Sequence, residues 1–140
     1  MNPDTPTLRR VLRLPCTIAV VGLSADASRP SFEVSQNMQA HGYRIVPVNP
    51  RYAGKGILGE SCYASLTDIP FAVDIVNVFR RTEEVLPIAD QAVQMGAKCL
   101  WQQIGVQNQE ADQLVRAAGL VSVMNLCIKI ERARLATGGY

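Results

Sequence analysis

Five short apolar segments recur along the chain at a spacing typical of alternating strands and helices. They are TIAVVG (17–22), YRIVPV (43–48), VDIVNVF (73–79), KCLWQQI (98–104) and LVSVM (120–124). Most are near-continuous apolar runs with β-branched residues and lack strict alternation of apolar and polar positions. This pattern is typical of strands buried on both faces, as in parallel sheets. The segments therefore predict five strands of one parallel sheet.

Helical patterns lie between most of these strands. Apolar residues recur at helical spacing in 31–41, 85–92 and 111–118, a glycine follows each segment, and a last helix is expected over 126–135. Strand and helix alternate at the spacing of right-handed crossovers. The pattern predicts an α/β protein with a three-layer Rossmann-like fold, in which a five-stranded parallel sheet carries helices on both faces.

The boundaries of two helices depend on individual residues. Thr82 and Asn108 stand where N-caps are expected, before the second and third helices. Pro87 complicates the first of these boundaries, because a proline inside a helix removes a hydrogen bond. The regular part of the second helix is therefore expected to begin nearer Leu86, with a looser turn before it.

Three parts of the chain depart from the regular alternation. Residues 1–15 are expected to be a loosely ordered or helical lead-in, with the fold starting at Thr17. The segment 49–72 holds prolines and glycines and is expected to be mostly loop, which in a compact domain is more often functional than idle. Pro47 interrupts a predicted strand, so we expect disturbed pairing near that strand's end.

Composition narrows the class of protein. With 140 residues, 48% apolar residues, 19% charged residues and a net charge of +2, the chain predicts one globular domain without a nucleic-acid partner. The apolar run 18–23 follows arginines but is shorter than the roughly 7–15 residues of a signal-peptide core. No stretch approaches the ~20 apolar residues of a membrane span. We expect a cytoplasmic protein with no membrane partner.

The cysteines do not form a metal-binding pattern. Cys16, Cys62, Cys99 and Cys127 are too widely spaced for a CxxC pair, and His41 is the single histidine. Structural zinc is therefore not expected, and reduced thiols in a cytosolic protein are the expected state.

Ligands of open α/β sheets bind beyond the carboxyl ends of the strands. The segments that follow the five predicted strands are Gly22-Leu23-Ser24, Asn49-Pro50-Arg51, Arg80-Arg81, Gly105-Val106 and Asn125-Leu126-Cys127. These five segments are expected to line one edge of the sheet.

The chemistry of this edge favours an anion. Gly22 lets backbone N–H groups approach a phosphate, and the helix that follows adds partial positive charge. Basic residues lie on or near the same rim, namely Arg29, Arg51, Lys55, Arg80 and Arg81. Ordinary NAD binding is disfavoured, because Gly22 stands alone in place of the GxGxxG fingerprint and Asn49 replaces the acidic residue that holds a ribose. An extra phosphate, as in NADP or coenzyme A (CoA), suits Arg51 and Lys55 better.

Several stretches together resemble the small CoA-binding-domain proteins, which are single-domain relatives of the N-terminal domain of the succinyl-CoA synthetase α subunit. They are TIAVVGLSADASRPSFEV, GYRIVPVNP, LGESCYASLTDIP, VDIVNVFRRTEEV, GAKCLWQQIGVQNQEA and AGLVSVMNLCIKIERARL. The resemblance covers roughly residues 10–135 and implies a single CoA-binding Rossmann-like domain over 1–140.

The resemblance also implies a set of ligand-binding residues. Gly22, Leu23 and Ser24 are expected to meet the pyrophosphate, with Arg29 nearby. By the same resemblance Asn49, Pro50 and Lys55 lie at the adenosine phosphate end, Phe79 and Arg80 flank the adenine or ribose, and Gln103, Ile104 and Gly105 line the pantetheine path.

The last matching block departs from the family pattern. The family has Asp-Arg-Cys-Pro there, whereas this chain has Asn125-Leu126-Cys127-Ile128, so an arginine and a proline are lost. Cys127 remains, after the fifth strand and near a predicted helix start, which favours a thiolate. It is a candidate for a mixed disulfide with bound CoA, and a buried free cysteine is the alternative.

No catalytic residues are expected. The related synthetase uses a phosphorylated histidine in a second domain, whereas His41 falls at the far end of a crossover helix, and no nucleophile–base pair is visible. The sequence therefore predicts a non-catalytic module that binds CoA or an acyl-CoA as a sensor, carrier or regulatory partner, with its protein partner unknown. Two alternatives remain open, an NAD(P)-dependent oxidoreductase and a structural or regulatory protein with a vestigial pocket.

Overall fold

The computed structural model describes residues 2–136; Met1 and residues 137–140, the ends of the expected 1–140 domain, lie outside the described part. Within it the strands are β1 (Thr17–Val21), β2 (Arg44–Val48), β3 (Gly56–Ile57), β4 (Glu60–Ser61), β5 (Ile75–Val78), β6 (Cys99–Gln102) and β7 (Val121–Val123). Five of them form a parallel sheet in the order β2-β1-β5-β6-β7, and β3 pairs with β4 as a small antiparallel hairpin. The predicted five-stranded sheet is confirmed, with strands one to three residues shorter than the apolar segments.

Helices cover both faces of this sheet. They are α1 (Thr5–Val11), α2 (Pro30–Ala40), α3 (Val85–Gln94), α4 (Gln109–Ala117) and α5 (Ile128–Ala136). One buried cluster joins α1, α2 and α5 to the sheet through residues such as Leu8, Met38 and Ile128. A second cluster joins α3 and α4 to the opposite face, through Ala89 and Val115. The three-layer Rossmann-like fold is therefore confirmed.

The strand order creates a switch point between β1 and β5. β1 pairs in parallel with β2 on one side and with β5 on the other. From β1 the chain continues to β2 on one side of the sheet, and from β5 it continues to β6 and β7 on the other side. In doubly wound sheets of this order, the loops after the two central strands separate and leave a crevice at the carboxyl edge.

Pro47 does not disturb strand pairing, contrary to the sequence-based expectation. It pairs in register with Val20, and Val48 after it pairs with Val21. β2 is the outermost strand on its side of the sheet, next to β1. A proline is tolerated on an edge strand, where its missing N–H faces away from the partner strand.

The fold includes residues before Thr17, so the expected starting point is wrong. α1 begins after Asp4, whose carboxylate accepts a hydrogen bond from the Thr7 amide at 3.0 Å. Leu8 is 3% exposed and belongs to the core cluster. Of the two expectations for residues 1–15, the helical one is confirmed over Thr5–Val11.

The second predicted helix begins close to where Pro87 places it. α3 starts at Val85, and a short 3-10 turn over Thr82–Glu84 precedes it. Thr82 does not cap α3; its hydroxyl accepts a hydrogen bond from the Gln107 amide at 3.1 Å instead. The loop after β5 is thereby tied to the loop after β6. The segment 49–72 is mostly loop, as expected, with two 3-10 turns and the β3–β4 hairpin.

Candidate functional site

Two adjoining depressions lie at the carboxyl edge of the sheet. The first, called here the arginine cleft, has a volume of about 500 Å³ and is lined by Gly22, Ser24, Arg29, Pro30, Ser31, Asn49, Pro50, Arg51, Tyr52, Phe79 and Arg80. The second, called the apolar cavity, has a volume of about 790 Å³ and is lined by Pro30, Val34, Phe79, Arg80, Arg81, Glu84, Gln103, Ile104, Gly105, Val106 and Cys127. Pro30, Phe79 and Arg80 line both, so the two depressions are continuous.

Gly22 stands where the loops after β1 and β5 come closest. Its φ is +91°, and a Cβ at this position would lie 2.3 Å from the Phe79 carbonyl oxygen and 2.9 Å from Arg80 Cδ. Its amide donates to the Val48 carbonyl at 2.8 Å. The glycine is therefore required by the close approach of two loops, because an L side chain fits neither the space nor the backbone conformation.

The turn from β1 to α2 is closed by serine side chains. Ser24 donates its amide to Ser31 Oγ at 3.0 Å, and Ser24 Oγ accepts from the Asp26 amide at 3.0 Å. Arg29 is the N-cap residue of α2 but makes no side-chain capping hydrogen bond. Its side chain lines the arginine cleft, where a cation at the start of a helix adds to the positive potential of the helix dipole.

Asn49 connects the loops after β1 and β2. Its Nδ2 donates to the Leu23 carbonyl at 3.1 Å, and its Oδ1 accepts from the Arg51 amide at 3.0 Å. Both the nitrogen and the oxygen of the side-chain amide thus bind backbone groups. In a Rossmann dinucleotide site an acidic side chain at this position binds the ribose hydroxyls, and Asn49 supplies no such carboxylate.

The structure does not bring every predicted site residue to the cleft. The Leu23 side chain is 0% exposed and belongs to the core, so only its backbone lies at the edge. Lys55 lies in an exposed turn, where its amide donates to the Tyr52 carbonyl at 2.9 Å, and it does not line either depression. The other predicted residues line the cleft, the cavity or both.

Arg80 lies at the junction of the two depressions and is held by an acid. Its Nη2 donates to Glu84 Oε1 at 2.8 Å, and Arg81 Nε donates to Glu84 Oε2 at 3.4 Å. The hydrogen bond from Arg80 lowers the pKa of the Glu84 carboxyl. Glu84 is therefore ionised at neutral pH and faces two guanidinium groups.

Buried amides brace the floor of the apolar cavity. Gln103 is 3% exposed and its Nε2 donates to Asn77 Oδ1 on β5 at 2.9 Å. The Gly105 amide donates to Asn125 Oδ1 at 2.7 Å. These bonds tie the loop after β6 to strand β5 and to the loop after β7, so this part of the cavity wall is fixed to the sheet. Ile104 lies between Gln103 and Gly105 in the chain and is 63% exposed.

Cys127 borders the apolar cavity, immediately before α5. All four cysteines are free and buried. Burial raises the pKa of the Cys16 thiol to about 12 and also raises the pKa of Cys62 and Cys99. Of the four, Cys127 is the one that lines the cleft or the cavity.

The edge is suited to binding an elongated anion with a less polar end. Arg29, Arg51 and Arg80 line the cleft, and most of the accessible wall of the cavity is apolar.

His41 follows the last residue of α2, at the end away from Pro30 and the cleft, and its Nδ1 lies 2.8 Å from the Asn37 carbonyl. Over residues 2–136, no three His, Cys, Asp or Glu side chains gather as a metal site, and no helix is long and apolar enough to span a membrane.

Sequence reasoning missed several lining residues. They are Pro30, Ser31, Val34, Tyr52 and Glu84. All five lie on helices or turns that follow a predicted strand end by several residues, so their distance from the edge depends on how the chain turns. For Ser31 a signal existed, since a serine at the start of a helix often accepts a backbone amide.

The fold and the cleft define an α/β protein of the Rossmann-like class with a ligand-sized depression at the carboxyl edge of its sheet. A family model described as CoA binding domain matches residues 16–133. The chain therefore belongs to the CoA binding domain family, as the resemblance in the sequence implies.

Known proteins agree with this assignment. The chain is 40% identical over 132 residues to the uncharacterized protein YneT of Bacillus subtilis, covering 94% of this chain and 96% of that protein. It is 35% identical over 91 residues to the ADP-forming acetate–CoA ligase II of Archaeoglobus fulgidus, covering 64% of this chain but 13% of the ligase. A solved structure from Thermus thermophilus, cell-free ID.343, has a TM-score of 0.91 and 34% identity, covering 95% of this chain and 99% of that one.

Proposed function

We propose that this protein binds CoA or an acyl-CoA at the carboxyl edge of its sheet and acts as a non-catalytic module. The observation that carries the proposal is the continuity of the arginine cleft with the apolar cavity through Pro30, Phe79 and Arg80. CoA has a highly anionic nucleotide end and a less polar pantetheine arm, and such a ligand matches the two depressions in order. Membership of the CoA binding domain family supports the same ligand.

The residues of the cleft fit the nucleotide end. Three guanidinium groups, from Arg29, Arg51 and Arg80, line it, and arginine is well suited to bidentate phosphate contacts. Gly22 keeps the backbone of the β1 loop bare of a side chain. Ser24 lies beside it. Phe79 offers an aromatic face at the junction, where adenine or ribose is expected to lie.

The residues of the cavity fit the pantetheine arm. Gln103, Ile104 and Gly105 lie on the loop after β6, and Val34 and Val106 add apolar surface. Pantetheine contains amide groups between short aliphatic stretches, and a wall of this mixed kind suits it. Asn49 and Pro50 line the arginine cleft, at the end away from the cavity, and Lys55 is exposed on the following loop.

The proposal of a non-catalytic role rests on the chemistry of the lining. Nucleophilic or acid–base catalysis requires a nucleophile, a base and an orienting group within hydrogen-bond reach. The titratable side chains of the two depressions are four arginines, one glutamate bound to two of them, Cys127 and Tyr52. This set suits the binding of anions and offers no base beside a nucleophile. The A. fulgidus relative is a ligase, but this chain spans 13% of it.

Cys127 is proposed to contact the thiol end of bound CoA. Its thiolate would attack the disulfide of oxidised CoA, forming a protein–CoA mixed disulfide and releasing one CoA thiolate. Mass spectrometry after treatment with oxidised CoA is expected to find one CoA adduct on Cys127, and Cys127→Ser should lose it. Stoichiometric CoA binding without an adduct at this residue would end the proposal.

Calorimetric titration with CoA, acetyl-CoA, NADP and NAD tests the proposed function. We expect binding of CoA and acetyl-CoA at one site per chain and no comparable response to NAD. Tight binding of NADP with none of CoA would favour the oxidoreductase alternative. No binding of any of the four would favour a structural or regulatory protein with a vestigial pocket.

A further inference from the structure

The apolar cavity is the larger of the two depressions at the carboxyl edge. Its volume of about 790 Å³ exceeds the roughly 500 Å³ of the arginine cleft, although the cleft is expected to hold the bulkier nucleotide. Small-molecule sites range over about 300–1,000 Å³. An unbranched arm that ends in a thiol leaves part of such a cavity unfilled, and the unfilled part is available to a group attached to the sulfur.

Most of the uncharged side chains that line the cavity are apolar. Val34 and Val106 are each 7% exposed and line it together with Pro30 and Ile104. The Ile104 side chain is 63% exposed at the cavity, which leaves most of its apolar surface in contact with water. An apolar group bound here would remove that surface from water, and burial of apolar surface is favourable.

The charged groups of the cavity come from one segment and are already paired. They are Arg80, Arg81 and Glu84, and the carboxylate of Glu84 accepts from both guanidinium groups. A second carboxylate brought to this place would compete with Glu84 for the same donors and would be repelled by it. Both cations of the cavity are thus already hydrogen-bonded to Glu84, whose negative charge opposes a second carboxylate.

We infer that the apolar cavity holds the acyl group of an acyl-CoA and selects uncharged aliphatic groups over carboxylated ones. This inference rests on the proposed function, since the CoA moiety must lie in the arginine cleft for its sulfur to reach the cavity. It names the ligand class, which membership of the family leaves open. Glu84 is assigned as a specificity residue and Ile104 as a contact of the acyl chain.

The first test is a titration series with CoA, acetyl-CoA, butyryl-CoA, hexanoyl-CoA and succinyl-CoA. Full burial of one methylene strengthens binding about fourfold, and about twofold is expected in a cavity that is partly open to water. Hexanoyl-CoA is therefore expected to bind at least tenfold more tightly than acetyl-CoA. Succinyl-CoA, which has the same carbon number as butyryl-CoA, is expected to bind more weakly than butyryl-CoA.

The second test uses variants and compares ratios of affinity, so that effects on the CoA moiety cancel. Glu84→Gln keeps the shape and removes the negative charge, and it should raise the affinity for succinyl-CoA relative to butyryl-CoA about tenfold. Ile104→Ala should lower the affinity for hexanoyl-CoA relative to CoA severalfold. Ile130→Ala is the matched control, because Ile130 is 54% exposed on α5 and does not line the cavity.

The outcomes separate the inference from the function it rests on. Equal affinity for CoA and every acyl-CoA, or tighter binding of succinyl-CoA than of butyryl-CoA, would overturn the inference and leave CoA binding intact. An unchanged succinyl-to-butyryl ratio in Glu84→Gln would overturn the role of Glu84. Failure of CoA and of all its thioesters to bind would overturn the proposed function and the inference together.

Discussion

Single side chains at the carboxyl edge mostly hold loops in place. Gly22 lets the Phe79 carbonyl approach, Asn49 ties the loops after β1 and β2, and Gln103 donates to Asn77. Three arginines, Arg29, Arg51 and Arg80, also line the cleft. Because the loops are fixed by hydrogen bonds to the ends of adjacent strands, the arginines project from a rigid frame, which lowers the entropy cost of binding a ligand.

Gly22→Ala is expected to destabilise the fold by about 2–4 kcal/mol, because a positive φ and a backbone clash both oppose a Cβ. Gly54→Ala is the matched control: its φ is +81°, and a Cβ there meets nothing within 4 Å. The control should lose about 1 kcal/mol from the backbone alone. Urea denaturation measures both. Equal losses would show that the contact with Phe79 does not require glycine.

Arg29→Ala is expected to weaken CoA binding about tenfold and to change the free energy of unfolding by less than about 0.5 kcal/mol. The reason is that Arg29 lines the cleft but makes no capping hydrogen bond. Calorimetry and urea denaturation measure the two effects. Arg13→Ala, outside the cleft, should leave affinity unchanged. If the affinity for CoA is unaltered in Arg29→Ala, this arginine does not contact the ligand and serves only at the start of α2.

Because Cys99 is buried, the free energy of unfolding is expected to fall as the pH rises into the alkaline range. Burial raises the pKa of its thiol above the ordinary value of 9.0, so above that pH the unfolded chain loses a proton that the folded chain keeps. This favours unfolding as pH rises, by up to about 1.4 kcal/mol per pH unit. Cys99→Ala should flatten the fall in stability between pH 9 and 11 by that slope, measured by urea denaturation. Parallel pH profiles for the two proteins would contradict the assignment.

At the scale of elements, the sequence predicted where the strands lie along the chain but not which strands lie side by side in the sheet. Continuous runs such as 73–79 predict a buried strand from local sequence alone. The position of β2 at the edge, which makes Pro47 harmless, depends on strand order and is not encoded locally. α1 is short, and its signal is three apolar residues at helical spacing, Leu8, Val11 and Leu12, among arginines and prolines. Its place in the fold is set by tertiary packing.

Leu8→Ala is expected to cost about 2–4 kcal/mol, since Leu8 is 3% exposed in the core cluster that α1 shares with the sheet. Leu114→Ala is the matched control, a leucine in a helix with 36% of its surface exposed, and should cost clearly less. Thermal or urea unfolding measures the difference. A loss below about 0.5 kcal/mol for Leu8→Ala would mean that α1 does not contribute to the core.

At the scale of the whole molecule, strand order brings loops distant in sequence to one crevice. The sequence predicted that the segments after the five strands share an edge, because parallel strands end on the same side. It could not predict that Asn49 and Gln103 are engaged by backbone and side-chain partners, or that Glu84 binds Arg80. Those contacts depend on how neighbouring loops pack. The helical turn that brings Val34 to the crevice was equally inaccessible to sequence analysis.

The central claim is that CoA binds along this edge, from the arginine cleft into the apolar cavity. Titration of the isotope-labelled protein with CoA, followed by amide chemical shifts, tests it most directly. We predict the largest shifts at Gly22, Ser24, Arg80 and Gly105, with little change at the amino ends of the strands and in α1. Saturating shifts confined to the opposite edge, or no shifts at millimolar CoA, would contradict the claim.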